Sequence, residues 1–252
     1  MPRGSGWLGR MFVFSGRLLY VGAIGPTELH SHHAFQIGWA LGGDVLRFAD
    51  KRGSIVDADA VLVPNDAAHA FRGFCPSAVM LFVDPESREG LALRRLRVEA
   101  GSAAAWREAA ARLSRAQTAP RSIASAASLA DAALSSVVED PGARRGATHP
   151  AVRRTLALLA TGIEEDLRLE AIAAKVGLSA SRLRHVFAEE VGIPLRRYLL
   201  WRRLMAAAEV VREGRSLTNA AHHAGFTDSA HLTKAFRRMF GLAPSDAMAD
   251  IE

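Results

Sequence analysis

The sequence predicts an α+β multidomain chain: an N-terminal antiparallel β-barrel with helices after it, then an all-α C-terminal domain built from two helix-turn-helix units. Three observations carry that expectation. Short apolar runs broken by turn residues fill positions 11–83, an alanine-rich helical texture follows, and an internal repeat occupies the last part of the chain.

The runs Met11–Phe14, Phe35–Leu41, Val45–Phe48, Ala60–Val63, His69–Phe71 and Val79–Val83 have the length of strands. Gly42-Gly43, Asp50 to Gly53, Pro64-Asn65-Asp66 and Cys75-Pro76 separate them at roughly the 8 to 12 residue spacing of a sandwich or barrel. Residues 1–85 are therefore expected to form the barrel. In 86–138 the stripe Ile123, Ala127, Ala130, Leu134, Val137 keeps helical spacing, so this segment reads as helices that pack on the barrel or pair with a second subunit. Pro141, Gly142, Arg144, Arg145 and Gly146 mark 139–149 as a linker, leaving 150–252 as the last domain.

That domain holds the repeat. Residues 169–192 (LEAIAAKVGLSASRLRHVFAEEVG) align with 217–241 (LTNAAHHAGFTDSAHLTKAFRRMFG), with one extra residue in the second after its glycine. Ala173, Gly177 and Leu183 answer to Ala221, Gly225 and Leu232. A small residue lets two helices approach, a glycine four positions on takes the left-handed turn, and an apolar residue plugs the interface, which is the pattern of a helix-turn-helix. Ser179, Ser216 and Thr227 or Asp228 can cap helices; Arg168, in the place of Ser216, leaves one start poorly capped. Between the units, Pro194 to Val211 reads as one connecting helix with apolar residues at Leu200, Leu204, Ala207 and Val211. Its roughly 18 residues would span about 27 Å, enough to hold two reading heads near the ~34 Å of one DNA turn.

The sequence P-x-x-x-Y-L-x-x-x-R-L from Pro194 to Leu204, the A-G-F of 224–226 and the F-G-x-x-P of 240–244 follow in order. Together they resemble the AraC/XylS family of transcriptional regulators. The resemblance covers about the last hundred residues and implies that the second helix of each unit enters the major groove of double-stranded DNA. With Leu183, Val186 and Phe187 inward, Ser181, Arg182, Arg184, His185 and Glu189 lie outward or on the flanks. With Leu232, Ala235 and Phe236 inward, Ser229, Ala230, Thr233, Lys234 and Arg237 face DNA. Arg184 is the first choice for a base contact, because a guanidinium can donate two parallel hydrogen bonds to guanine. His185 stands where the family often has arginine. The second helix has short side chains at Ser229 and Ala230, so the first unit is expected to dominate specificity.

Charge alone says less. The chain carries 32 Lys+Arg and 26 Asp+Glu, a net +6, but 15 against 12 fall from residue 150 onward and neither half is a basic tail. The local excess lies in 182–203, where arginines 182, 184, 196, 197, 202 and 203 meet only Glu189 and Glu190; these can follow phosphates or form a solvated arginine-rich face.

A second pattern lies in the barrel: His30-x-His32, Gln36 and Gly43, then Pro64-x-Asp66-x-x-His69. It resembles the two cupin motifs. By that resemblance His30, His32 and His69 match three metal-ligating histidines, Gln36 holds the place of the acidic ligand and Asp66 replaces a glycine. The four residues His30, His32, Gln36 and His69 are read as lining a small-molecule pocket; a divalent transition metal on the three histidines, or plain packing at the barrel mouth, are the alternatives. His33, next to His32 on a strand, should face the other way.

A single cysteine, Cys75, excludes an internal disulfide and a thiolate cluster and fits a reducing cytoplasm. Met11 to Phe14 and Leu18 to Ile24 are interrupted by Arg17 and too short for a membrane span, and no signal peptide is read. The expectation is a cytoplasmic, ligand-responsive DNA-binding regulator, without catalytic residues or an obligatory cofactor, and with a homodimer open. The competing expectation is a metal-dependent cupin-type enzyme fused to a DNA-binding domain, against which Gln36 argues. A barrel that only supports dimerisation is the third.

Overall fold

The computed structural model describes residues 7–14, 16–138, 149–160, 169–191, 194–240, 243–247 and 250–251. The expected linker, save His149, and the Arg168 helix start lie outside these residues. Two compact units form: Met1–Ala143 with Phe236–Glu252, and Arg144–Ala235.

In the first unit β1 (Leu8–Phe14) and β2 (Arg17–Ile24) make an antiparallel hairpin. β2 pairs with β8 (Cys75–Val83), β8 with β3 (Phe35–Ala40), and β3 with β6 (Ala60–Val63), all antiparallel. Near the chain's end β9 (Asp250–Ile251) adds to β1 in parallel, giving the order β6-β3-β8-β2-β1-β9. A second sheet has the order β5 (Ile55–Ala58), β4 (Leu46–Asp50), β7 (His69–Phe71). Among the described residues no strand pairing joins the two sheets; an isolated bridge ties His30, between β2 and β3, to His69 of β7. The expected barrel is therefore an open pair of sheets rather than a closed one.

Strand alternation sorts the core. Phe12, Leu19, Val21, Phe35, Ile37, Trp39, Val79, Leu81 and Val83 lie on one face of the large sheet and cluster with Leu93, Leu113, Ala126, Ala130, Ala133, Leu134 and Val137. Those helical partners come from α1 (Arg88–Arg94), α3 (Ile123–Val137) and the turn after α2 (Ala103–Ala109). Ser87, Ser102 and Ser122 cap the three helices, each accepting a backbone N–H. Of the expected α3 stripe Ala130, Leu134 and Val137 are buried, joined by Ala126 and Ala133, while Ala127 is half-buried and Ile123 sits in the exposed first turn. Residues of the other parity, Gln36, Met80 and Phe82, leave the opposite face of the large sheet, where the histidines lie. Strands covered on both faces read as continuous apolar runs, and β2 and β3 do.

The second unit begins with α4 (Pro150–Ala160) and α5 (Leu169–Val176), followed by α6 (Ala180–Val191), α7 (Leu195–Arg212) and α8 (Leu217–His223). α9 (Ser229–Phe240) follows, and α10 (Pro244–Ala247) belongs to the first unit. Val152, Ile172, Ala173, Val176, Leu183, Val186, Phe187, Leu195, Tyr198 and Leu199 make one core. α7 is buried on more than one face, with Leu195, Tyr198 and Leu199 in that core and Leu204, Ala207, Ala208 and Val210 buried further along. Its expected stripe is rotated: Leu200 and Val211 are only partly buried.

Candidate nucleic-acid interface and histidine cluster

Both turns are built alike. Gly177 has φ +75° and Gly225 φ +74°, in the left-handed region where a Cβ is costly. After the first, Leu178 N–H donates to Ala173 O at 3.0 Å; after the second, Phe226 N–H donates to Ala221 O at 2.8 Å. These bonds close the ends of α5 and α8 on the small residues that the repeat aligns. Ser179 Oγ then accepts from Arg182 N (3.2 Å), and Asp228 Oδ1 from His231 N (2.7 Å), capping α6 and α9.

On α6 the side chains of Ser181, Arg182, Arg184, His185 and Glu189 are exposed, while Leu183, Val186 and Phe187 are buried. On α9 Ala230, Lys234 and Arg237 are exposed, Ser229 and Thr233 are partly so, and Leu232, Ala235 and Phe236 are buried. His185 Nε2 lies 3.9 Å from Glu189 Oε2 one turn on, an exposed pairing of little energetic weight. The arginine excess is not uniform: Arg196 and Arg197 are exposed, but Arg202 donates to Leu159 O at 3.0 Å and Arg203 lies against the Gly225 turn. Two supports escaped the sequence reading. Arg154 donates to Val176 O (2.8 Å), finishing α5 from α4, and the His231 ring stands edge-on to Phe226 at 5.2 Å.

In the first unit the ring centroids of His30, His32 and His69 lie 4.4 to 5.8 Å apart, and one ligand nitrogen from each falls within 4.8 Å of the others. Each Nδ1 sits 2.9 Å from a backbone carbonyl two residues away: Glu28 for His30, Ala34 for His32, Ala67 for His69. A carbonyl only accepts, so Nδ1 carries the proton and Nε2 the lone pair in each neutral ring. Burial lowers all three pKa values: His30 to about 4, with the neighbouring His32 adding to the effect, His32 also below its ordinary value, and His69 well below, with His30 and His32 adding. The His69 Nε2 is fully buried and has no hydrogen-bond partner, an arrangement that costs about 1 to 3 kcal/mol unless something fills it. Phe82 and Phe48, with Trp106 and Phe240, stand around the rings.

Gln36, on β3, reaches His32 Nε2 with its amide at 2.8 Å and touches Met80 Sδ at 3.2 Å. With the carbonyl oxygen toward Nε2, His32 would have to donate from both nitrogens and be a cation, which burial opposes. The amide turned round donates N–H to the Nε2 lone pair and satisfies a neutral ring, giving up its weaker N–H contact to Met80 Sδ; the two orientations occupy the same space, and the network decides between them.

His33 stands outside the cluster, with Nδ1 3.5 Å from Asp66 Oδ2. Strand alternation is not the reason, because residues 31–34 are irregular and β3 starts at Phe35. Asp66, in the place of the motif's glycine, has φ +62°, the conformation the glycine would supply and one that Asp tolerates better than most residues. Its N–H donates to His32 O at 2.8 Å, which ties the His69 loop to the His32 loop. The metal that the cupin resemblance implies fits this donor set: three Nε2 atoms, each ring oriented by a carbonyl on its other nitrogen, as metal-bound histidines are.

Residues 172–249 match the helix-turn-helix domain family. The transcriptional activator RhaS of Escherichia coli O157:H7 is 35% identical over 92 residues, which are 36% of this chain and 33% of RhaS. The regulator GbdR of Pseudomonas aeruginosa PAO1 is 28% identical over 102 residues, 40% of this chain and 28% of GbdR. The matched segment thus spans about a third of these relatives. Across nearly the whole chain the fold is similar to ToxT of Vibrio cholerae O395, with TM-score 0.53 at 11% identity, covering 94% of this chain and 98% of ToxT. ToxT bound to (E)-4-(8-methylnaphthalen-1-yl)but-3-enoic acid gives TM-score 0.55 at 12% identity, covering 93% and 98%. The likeness to ToxT concerns fold. Two turn units on one shared helix make the C-terminal part a helix-turn-helix domain of the DNA-binding class. Its repeat is similar to that of the transcriptional regulators it matches, RhaS and GbdR.

Proposed function

We propose that the chain is a cytoplasmic transcriptional regulator whose helices α6 and α9 enter adjacent major grooves of DNA. The observation that carries this reading is the pair of equivalent turns, each presenting a capped helix with an exposed polar face. Ser181, Arg182, Arg184, His185, Ser229, Ala230, Thr233, Lys234 and Arg237 are the contact set, with Arg184 the main reader of bases. Among the described residues no helix is long and apolar enough to cross a membrane. His30, His32, Gln36 and His69 line the effector site, and pairing of two chains remains part of the reading. A small molecule in this unit is supported by the closed set of oriented histidines, and the similarly folded ToxT binds a naphthyl-substituted butenoic acid. An effector acts only through different affinities for two conformations.

Sequencing the source-genome DNA retained by the purified chain near physiological salt tests the reading. The expected outcome is an enriched site with two short elements about one turn apart. Retention without a shared motif, lost as salt rises, would reduce DNA binding to electrostatics. The convergent Nε2 atoms favour one second reading, a metal-dependent enzyme tethered to DNA; turnover lost in both His30→Ala and His69→Ala would establish it.

A further inference from the structure

Taking the divalent transition-metal ion that the cupin resemblance implies for His30, His32 and His69, we propose that Gln36 of this chain weakens its binding by competing for the His32 nitrogen. The inference concerns the cluster assigned above to the effector site and takes an ion as its occupant; it stands apart from the DNA-binding reading.

Three features of the cluster point the same way. Backbone carbonyls fix all three rings with Nδ1 as donor and leave Nε2 as the ligand atom, and one ligand nitrogen from each ring lies within 4.8 Å of the others. The His69 Nε2, buried and unpartnered, is an acceptor that only an ion or a donor can satisfy. The gathered donors are all imidazole nitrogens, with no carboxylate among them, a set that suits Co²⁺, Ni²⁺ or Zn²⁺ and not Mg²⁺ or Ca²⁺.

Gln36 sets the strength. Its amide already occupies the His32 nitrogen at 2.8 Å, so an ion gains its third ligand only by displacing that hydrogen bond. Being neutral, the amide also leaves the charge of the ion uncompensated by the protein. A glutamate at this position would compete less well as a donor and would add an anionic oxygen beside the same nitrogen.

Titration of the full untagged chain with Co²⁺ alone, read by visible d–d absorption and by equilibrium dialysis, tests this. One ion per chain is expected. His30→Ala and His69→Ala should each weaken binding by at least about tenfold, and Gln36→Glu should tighten it by about tenfold or more. His222→Ala with His223→Ala, an exposed pair on α8, should leave it unchanged. If His69→Ala fails to fold by circular dichroism, His30→Ala and Gln36→Glu carry the test. A folded chain that takes up no Co²⁺, or uptake that survives His30→Ala, overturns the site; weaker binding in Gln36→Glu overturns the role of Gln36.

Discussion

The two helix-turn-helix units are nearly the same object in their backbones and different objects on their surfaces. Their turn glycines differ by a degree in φ and their closing hydrogen bonds run between equivalent residues. Yet at aligned positions α6 offers Arg182, Arg184 and His185 where α9 offers His231, Thr233 and Lys234. The lesson is a separation of duties along the repeat: the small, glycine and apolar positions specify the scaffold, and the positions between them are free to carry different chemistry.

The largest expected effect breaks the scaffold. Gly225→Val and Gly177→Val should each destabilise their unit by about 1 to 3 kcal/mol, since a β-branched residue is strained at positive φ. An added Cβ at Gly177 meets nothing within 4 Å, while one at Gly225 comes no closer than 3.5 Å to Arg203, so backbone strain should dominate at both. A thermal melt showing one variant at wild-type stability would mean that the turns are not equivalent. Next comes the surface: Arg184→Ala should relax the preference for one base pair by about 1 to 3 kcal/mol, whereas Lys234→Ala should weaken all sites alike. Competition binding on a matched set of operators reads the difference, and a changed preference in Lys234→Ala alone would reverse the ranking. Smaller still are the caps. Ser179→Ala and Asp228→Ala should cost about 1 kcal/mol each, measured by denaturant unfolding, with Asp228→Asn recovering most of the loss. Least of all, removing either partner of the exposed His185 and Glu189 pair should change stability by well under about 1 kcal/mol.

The repeat was legible because a left-handed turn and a close helix crossing admit few residue types, so Ala173, Gly177, Ala221 and Gly225 announce themselves. The strands were less so. β2 runs Arg17–Ile24 as a nearly unbroken apolar stretch without the alternation that marks a half-exposed strand, and β5 is four residues long and alternates in burial with an apolar Ile55 on its exposed face. The partnership of β1 with Asp250–Ile251, from the other end of the chain, has no local signal at all. The histidines at 30, 32 and 69 were found through the resemblance to the cupin motifs, but the tautomer of each ring depends on carbonyls placed by loop geometry. The aromatic wall, Trp106 above all, comes from a helix far along the chain with nothing in its sequence to link it to His69.

The eighteen residues of α7 also act as a phase standard. A single residue inserted between Tyr198 and Leu204 would turn everything after it by about 100° around the helix axis while lengthening the helix by only about 1.5 Å. Seven residues would restore the angle to within about 20° and add roughly 10 Å, close to three base pairs of DNA. On the proposed function, the spacing of a two-part operator would be encoded in whole helical turns of protein, and its tolerance to change should rise and fall with the period of the α-helix.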